Sequence, residues 1–148
     1  MSNIRRNKNN RWHKLFTFMR KRNQGKLKLS RADLSDANLS DADLYNADLS
    51  DADLRDATMN WLSHDLIAER LHQAAGDDIL LRLAAGHVIM SRDLCHAELI
   101  KYAPDIPHPE HGTVMQWALG QMLSWHKEGD DFPSILEHAY KSYRKMEN

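Results

Sequence analysis

Residues 32–57 read "ADLSDANLSDADLYNADLSDADLRDA" and return a leucine at every fifth position. Neither regular backbone has this period. On an α-helix a step of five residues turns by about 140°, which spreads the leucines around the axis. On a flat strand an odd step sends successive leucines to opposite faces. An alanine lies two residues before each leucine, so each Ala–Leu pair can share one face of a short extended segment. A turn between the pairs would then point every pair at a common axis.

The other three positions of each five-residue unit are mostly polar and face water in such a coil. They carry mainly Asp, Asn and Ser, whose side chains form turns by bonding nearby backbone groups. The predicted core consists of Leu34, Leu39, Leu44, Leu49 and Leu54. The outward positions hold eight aspartates that form a candidate acidic binding face: Asp33, Asp36, Asp41, Asp43, Asp48, Asp51, Asp53 and Asp56. The alternative is that these aspartates only make turns and keep the coil soluble.

The units follow the pattern A-(D/N)-L-x-x without interruption, and Leu27 and Leu29 form a degenerate unit before them. In this pattern residues 27–60 resemble the pentapeptide-repeat proteins. The resemblance implies a right-handed quadrilateral β-helix with four pentapeptides per coil, and so fewer than two coils here. It also implies a function, because the best-studied members bind DNA gyrase with long acidic β-helices that resemble duplex DNA. At strand spacing this segment stacks to only about 10 Å, or about three base pairs, which is too short to fill a duplex-binding channel.

Composition and charge divide the chain into three segments. A basic arm with an amphipathic helix (residues 1–26) precedes the repeat segment (residues 27–60), and an α-helical domain (residues 61–148) follows it. The net charge of the chain is −1, but residues 1–28 carry ten Lys or Arg and no acid. The predicted fold class is mixed: a short β-helix flanked by an N-terminal basic helix and a C-terminal all-α bundle of about five helices.

The basic arm contains a helical pattern in "RWHKLFTFMRKR", with the cations opposite an apolar side. The apolar residues of this pattern are Trp12, Leu15, Phe16 and Met19. The first interpretation is a cap, in which the helix covers the open N-terminal end of the coil. The second is binding to nucleic-acid phosphates, with Arg5, Arg6, Lys8, Arg11, Lys14, Arg20, Lys21 and Arg22 as the candidate contacts. The third is binding to a membrane surface or to a partner helix.

The first two helices of the α-helical domain have clear terminal signals. Ser63 is the expected N-cap of the first helix, and Gly76 ends it. Asp77 or Asp78 is the expected N-cap of the second helix. The predicted inward residues are Leu62, Leu66, Ile67 and Leu71, followed by Ile79, Leu80, Leu83, Ala84 and Val88.

Three further helices are expected. Ser91 is predicted to cap the third helix, and Pro104 ends it. The predicted inward residues of this helix are Cys95, Leu99 and Tyr102. The fourth helix is expected over residues 113–128, and the fifth begins at Asp131 or Ser134.

No catalytic motif occurs in the sequence, since it lacks the P-loop, G-x-G-x-x-G, G-x-S-x-G and H-E-x-x-H patterns. Cys95 is the only cysteine, and we expect it to be buried in the core rather than to act as a nucleophile. His108 and His111 could both reach a metal ion, but structural zinc needs four ligands. We therefore expect a proline-stiffened loop without metal, and a protein that is not an enzyme and has no cofactor.

These observations predict a non-catalytic protein-binding or scaffold protein whose partner is another protein. One alternative is a nucleic-acid-associated protein that binds phosphates through residues 1–28. A second alternative is a DNA mimic that inhibits or modulates a topoisomerase such as DNA gyrase. The apolar runs are too short for a transmembrane segment, and a single cysteine fits the cytoplasm. The ends of so short a coil resemble edge strands, so we expect a homodimer if either end stays uncovered.

Overall fold

A computed structural model describes residues 25–146 of the chain. The basic arm, with its predicted amphipathic helix and its eight candidate phosphate contacts, lies outside the described residues. The described part begins with the repeat segment. Five helices and one small β-hairpin follow it.

The repeat segment winds into a coil with twenty residues per turn. Leu34 N donates to Asp53 O at 2.9 Å, and Asp53 N donates to Ala32 O at 2.8 Å. These hydrogen bonds join each turn of the coil to the next. The parallel bridges of this ladder join Lys28 to Asp48, Asp33 to Asp53 and Asn38 to Thr58. Twenty residues are four pentapeptides, and stacked units therefore lie on the same side of the coil. This register is that of a β-helix-like segment.

The corners of the coil explain why the repeat favours Asp and Asn. At each corner an alanine N–H bonds the carbonyl oxygen of the leucine three residues earlier, as Ala37 N does with Leu34 O at 3.1 Å. Five residues, each just before such an alanine, have φ between 56 and 61°: Arg31, Asp36, Asn46, Asp51 and Asp56. A left-handed backbone at the third position is the mark of a type II turn, and Asp and Asn tolerate it better than most residues.

The core of the coil is made by the repeated leucines. Leu34, Leu39, Leu44, Leu49 and Leu54 are each at most 3 % exposed. Ala37, Ala42, Ala52 and Ala57 are buried beside them, and Ala32 and Ala47 are partly buried. Met59 and Trp61 extend this core into the helical domain, so the two segments share one continuous hydrophobic cluster.

The α-helical domain contains about five helices, as the sequence predicts. They are α1 (His64–Ala75), α2 (Ile79–Met90), α3 (His96–Lys101), α4 (Val114–Trp125) and α5 (Ser134–Met146). A two-stranded antiparallel hairpin, β1 (Pro107–His108) and β2 (Gly112–Thr113), precedes α4. The predicted N-caps are present: Ser63 Oγ accepts from Leu66 N, and Asp78 Oδ1 accepts from Leu81 N.

The orientation predicted for α2 is wrong for its first half and right for its second. Ala84 and Val88 are buried as predicted, but Ile79, Leu80 and Leu83 were expected to face the core and are exposed. The buried face consists of Leu81, Ala84, Ala85 and Val88, which packs against α1 and α4. The sequence "ILLRLAAGHVIM" is apolar almost all round, so its pattern does not define which side is buried.

The start predicted for the third helix is also wrong. Ser91 does not begin α3 but ends α2, because its N–H and its hydroxyl both bond His87 O. The chain then turns, and α3 begins only after Cys95. Cys95 is therefore exposed rather than buried, and Tyr102 is exposed at the C-terminal end of α3.

Two smaller predictions also need correction. Leu62 lies in the turn before α1 and is 81 % exposed, so it does not join the core with Met59 and Trp61. The fourth helix ends at Trp125, three residues earlier than expected. Lys127 N donates to the Asp130 carboxylate rather than to a helical carbonyl, which ends the helix in a side-chain-bonded loop.

Candidate functional site

The eight aspartates of the candidate acidic face do not share one face. The coil has four sides, which we number along the chain: side 1 (27–31 and 47–51), side 2 (32–36 and 52–56), side 3 (37–41 and 57–61) and side 4 (42–46). Side 2 carries Asp33, Asp36, Asp53 and Asp56; side 1 carries Asp48 and Asp51; Asp41 and Asp43 lie on sides 3 and 4. Side 2 therefore carries four of the eight carboxylates, more than any other side.

One of the side 2 carboxylates is already paired. Arg55 donates to both oxygens of Asp53, at 2.9 and 2.7 Å. These bonds, with the Arg55 backbone N–H, lower the pKa of Asp53 to about 2. Side 2 is thus acidic but partly neutralised by its own arginine.

Most of these aspartates also have a backbone role. Asp33, Asp43, Asp48 and Asp53 each accept the backbone N–H two residues later, at 3.1 to 3.2 Å. Asp36, Asp51 and Asp56 occupy the left-handed corner positions. Seven of the eight aspartates therefore form turns, which supports the structural alternative. Asp41 belongs to neither group.

The C-terminal end of the coil is covered by α1. Asp65 accepts Asn46 N at 3.1 Å and Glu69 accepts Asp51 N at 3.2 Å. Gln73 donates to Ala52 O at 2.8 Å. At this end no further coil follows to bond the backbone N–H and C=O groups. The side chains of α1 bond them instead, so they do not form an open edge. The same end is consequently not open for stacking on a second copy.

Asp130 fixes the loop between α4 and α5 against the coil. Its carboxylate accepts the Trp61 indole N–H at 3.0 Å and the backbone N–H groups of Lys127 and Phe132. His126 Nδ1 lies 2.5 Å from the same carboxylate. Partial burial alone would raise the pKa of Asp130, but these hydrogen bonds outweigh it and hold the pKa below its usual value.

A cleft of about 790 Å³ lies between side 3 of the coil and this loop. Met59 and Trp61 contribute to its lining, and its acidic residues are Asp36, Asp41, Asp56, Glu128, Asp130 and Asp131. The Lys127 side chain also lines the cleft, and its Nζ donates to Asp56 O at 2.5 Å. The cleft can therefore accept a cationic group, but its carboxylates are not arranged around a nucleophile or a metal-binding cluster.

The helical domain exposes several large apolar side chains on α2 and just after it. Ile79, Leu80, Leu83 and Met90 lie along the helix, and Leu94 lies in the turn that follows; we call these five residues the α2 stripe. Ile79 is 75 % exposed and Met90 is 87 % exposed. Gly86 lies between Leu83 and Met90 on the helix, with open space around it. Sequence analysis missed this surface because it assigned the first half of the stripe to the core.

His108 is a structural residue. Its Nε2 lies 2.8 Å from Asp78 Oδ2, and its Nδ1 accepts Glu110 N at 3.1 Å. The His108 hydrogen bond is the main reason that the pKa of Asp78 lies below its usual value. The His111 ring packs 4.8 Å from His108. Among residues 25–146 no three His, Cys, Asp or Glu side chains group closely enough to hold a metal ion.

The coil, its corners and the attached helices define a repeat protein with a β-helix-like segment. Residues 28–60 match the model of the pentapeptide repeats, with eight copies. This segment belongs to the pentapeptide-repeat family, as the A-(D/N)-L-x-x pattern predicts. None of the curated proteins and none of the solved structures matches the chain. Over the part of the chain that the structure describes, no helix is long and apolar enough to cross a membrane.

Proposed function

We propose that this chain is a non-catalytic protein-binding scaffold in which the coil supports the helical domain and the α2 stripe binds a partner. In this proposal the repeat segment is a right-handed quadrilateral β-helix of fewer than two coils, as its family implies. The observation that carries the proposal is the exposure of large apolar side chains along one face of α2. A helix that is apolar on both faces is typical of one that is covered on both sides, and a contiguous exposed apolar surface is typical of an interaction site.

Charges at the two ends of the α2 stripe indicate the chemistry of the partner. Asp77 precedes α2 with a fully exposed side chain, and Asp93 follows α2 and is also exposed. Arg82 lies beside the stripe and is 3.7 Å from Asp77. An amphipathic helix with an apolar face and basic ends matches both the stripe and the two acids. We therefore propose such a helix, from another protein, as the occupant.

A synthetic peptide tests this proposal. The probe is a labelled amphipathic helix with leucines at helical spacing and lysines at both ends, titrated with the full chain in a fluorescence anisotropy experiment. We expect a Kd on the order of micromolar. Combining Ile79→Ser with Met90→Ser removes the two most exposed residues of the stripe and should weaken binding by about tenfold or more. Leu62→Ser is the matched control, because Leu62 is equally exposed but lies outside the stripe.

Equal affinity of the stripe variant and the unchanged chain for the peptide would contradict the proposal. Light scattering tests the alternative that a second copy of this chain binds the α2 stripe. The chain has a mass of 17.1 kDa. A particle of twice that mass that returns to 17.1 kDa in the stripe variant would assign the stripe to a homodimer instead.

A second candidate function rests on the ten cations of residues 1–28. If these residues bind nucleic-acid phosphates, deleting residues 1–26 should abolish binding. Affinity should also fall steeply with salt, with a slope of about −0.7 to −0.9 per phosphate contact. Gel-shift titration at several salt concentrations measures both effects, with Lys141→Gln on α5 as the control for loss of a surface cation. Binding that survives the deletion, or that does not depend on salt, would remove this candidate.

The DNA-mimic alternative has weaker support from the geometry. A topoisomerase channel binds duplex DNA over many base pairs, whereas the repeat segment stacks to about 10 Å. The C-terminal end of the coil is bonded to Asp65, Glu69 and Gln73 of α1, so the stack is not continued there by a further coil. The four carboxylates of side 2 remain the acidic surface that such an inhibitor would use.

A further inference from the structure

A buried histidine and a partly buried histidine meet where the helical domain joins the coil. His64 is the first residue of α1 and His96 is the first residue of α3. Their rings are stacked, with centroids 5.3 Å apart and an interplanar angle of 26°. The Nδ1 atom of each ring is buried and has no hydrogen-bond partner among residues 25–146. No part of the proposed function uses this pair.

The hydrogen bond to Trp61 fixes the tautomer of the neutral His96 ring. His96 Nε2 lies 2.6 Å from Trp61 O, and a carbonyl oxygen only accepts, so Nε2 carries the proton and Nδ1 of the neutral ring is bare. Burial lowers the pKa of His64, although hydrogen bonds with the backbone of Val88 and Ser91 partly oppose this effect. Burial also lowers the pKa of His96, and the bond to Trp61 opposes it.

Among the described residues, the acid beside the pair already has other partners. Asp65 favours a cation at His64, but its carboxylate is bound by Arg92 and by Asn46 N. Arg92 disfavours a cation at His64, and His64 disfavours a cation at His96. Both rings also lie at helix N-termini, where the helix dipole disfavours positive charge. The other titratable residues of α3, Glu98 and Lys101, and the preceding Cys95 are exposed.

We propose that the His64–His96 pair is a pH-sensitive contact that holds α3 against the end of the coil at neutral pH and releases it in acid. A proton added to either Nδ1 creates a buried N–H without an acceptor. The ring must then reach water, and His96 can do so only by leaving Trp61 O. The other contacts of the six-residue helix α3 are those of buried Leu99 and partly buried Ile100 with the core, its packing against α5, and the bond of His87 Nε2 with Leu99 O at 2.8 Å.

The direction of the pH dependence follows from the linkage between protonation and opening. Both rings have a lower pKa when α3 is closed than when it is open. At a pH between these two pKa values, the open state therefore binds more protons than the closed state. The closed state is therefore fully favoured above about pH 6.5, the ordinary pKa of histidine, and loses stability as the pH falls below it. Each proton taken up on opening changes the opening equilibrium by up to about tenfold per pH unit.

Amide hydrogen exchange on the full chain tests the proposal at about pH 7.5 and about pH 5.5. The reporters are the amides of Leu99 and Tyr102, which bond Cys95 O and Glu98 O within α3. After correction for intrinsic exchange, we expect their protection to fall by about tenfold or more. The coil amides of Leu34 and Leu39 should keep their protection, which separates opening of α3 from global unfolding.

Matched variants assign the effect to the pair. His64→Phe combined with His96→Gln removes both titrating rings but keeps a stacked ring and a donor for Trp61 O, so the acid-induced loss of protection should disappear. His72→Gln, an exposed histidine on the same helix, should leave it unchanged. The same pH response in the double variant and in the unchanged chain would overturn the proposal. If the double variant does not fold, ring NMR decides: His64 and His96 must titrate below about pH 6.5 together with the α3 amides, and titration without any change in α3 overturns the proposal.

Discussion

Leu44→Asp is expected to unfold the coil and the helical domain together. Leu44 is 1 % exposed, and an unpaired carboxylate at this site would lie in a narrow apolar core at a cost of several kcal/mol. A domain of this size has only about 5–15 kcal/mol of stability to lose. The two segments share one hydrophobic cluster, and Asp65 and Glu69 of α1 bond the coil backbone. Loss of the coil therefore removes the surface on which α1 folds.

Leu44→Ala measures the same packing without adding a charge. We expect it to lower the free energy of unfolding by about 2–5 kcal/mol, the usual cost of a cavity in a tight core. Urea titration followed by circular dichroism gives the value. Leu62→Ala is the control, because the Leu62 side chain is in water and its truncation should change stability by less than about 0.5 kcal/mol. An unchanged midpoint for Leu44→Ala would show that the leucines do not pack around a common axis.

The parts of the fold that depend on neighbouring residues could be predicted from the sequence. The five-residue period required a regularly turning coil, and the Ala–Leu spacing identified its inward side. Ser63 and Asp78 could be recognised as N-caps because a cap acts within three residues of its own position. The type II corners follow the same rule, since Asp36 and Asn46 suit a left-handed backbone by their own chemistry.

The parts that depend on distant residues could not be predicted. α2 is apolar on both faces, so its own sequence pattern does not determine which face is buried. Packing against α1 and α4 determines it. Asp130 contacts Trp61 across 69 positions of the chain, and nothing near either residue indicates the contact. The aspartates of the candidate acidic face are spread over the sides of the coil for a different reason: aspartates recur on every side because every corner needs a turn.

Arg92→Met should be the most damaging single change outside the apolar core. Arg92 donates to the Asp65 carboxylate through Nε at 3.0 Å and through Nη2 at 2.5 Å. The Asp65 side chain is only 4 % exposed. Without Arg92, the hydrogen-bond donor that this buried carboxylate keeps among the described residues is the Asn46 backbone N–H, at 3.1 Å. Breaking one side of a buried ion pair typically costs about 3–5 kcal/mol, because it leaves the other charge uncompensated.

A double-mutant cycle separates the pair from the rest of the junction between coil and helical domain. Adding Asp65→Asn to Arg92→Met removes the stranded charge, while the Asn side chain can still accept from Asn46 N, so we expect it to restore most of the lost stability. Arg82→Met is the comparison variant: its ion pair with fully exposed Asp77 at 3.7 Å contributes at most about 1 kcal/mol, and the variant also loses the bond from Nε to Gly76 O at 2.6 Å. Urea unfolding of the four proteins at one pH gives the coupling energy. If Arg92→Met costs no more than Arg82→Met, the buried ion pair does not stabilise the junction, and the coil and α1 are joined by apolar packing and the remaining backbone contacts alone.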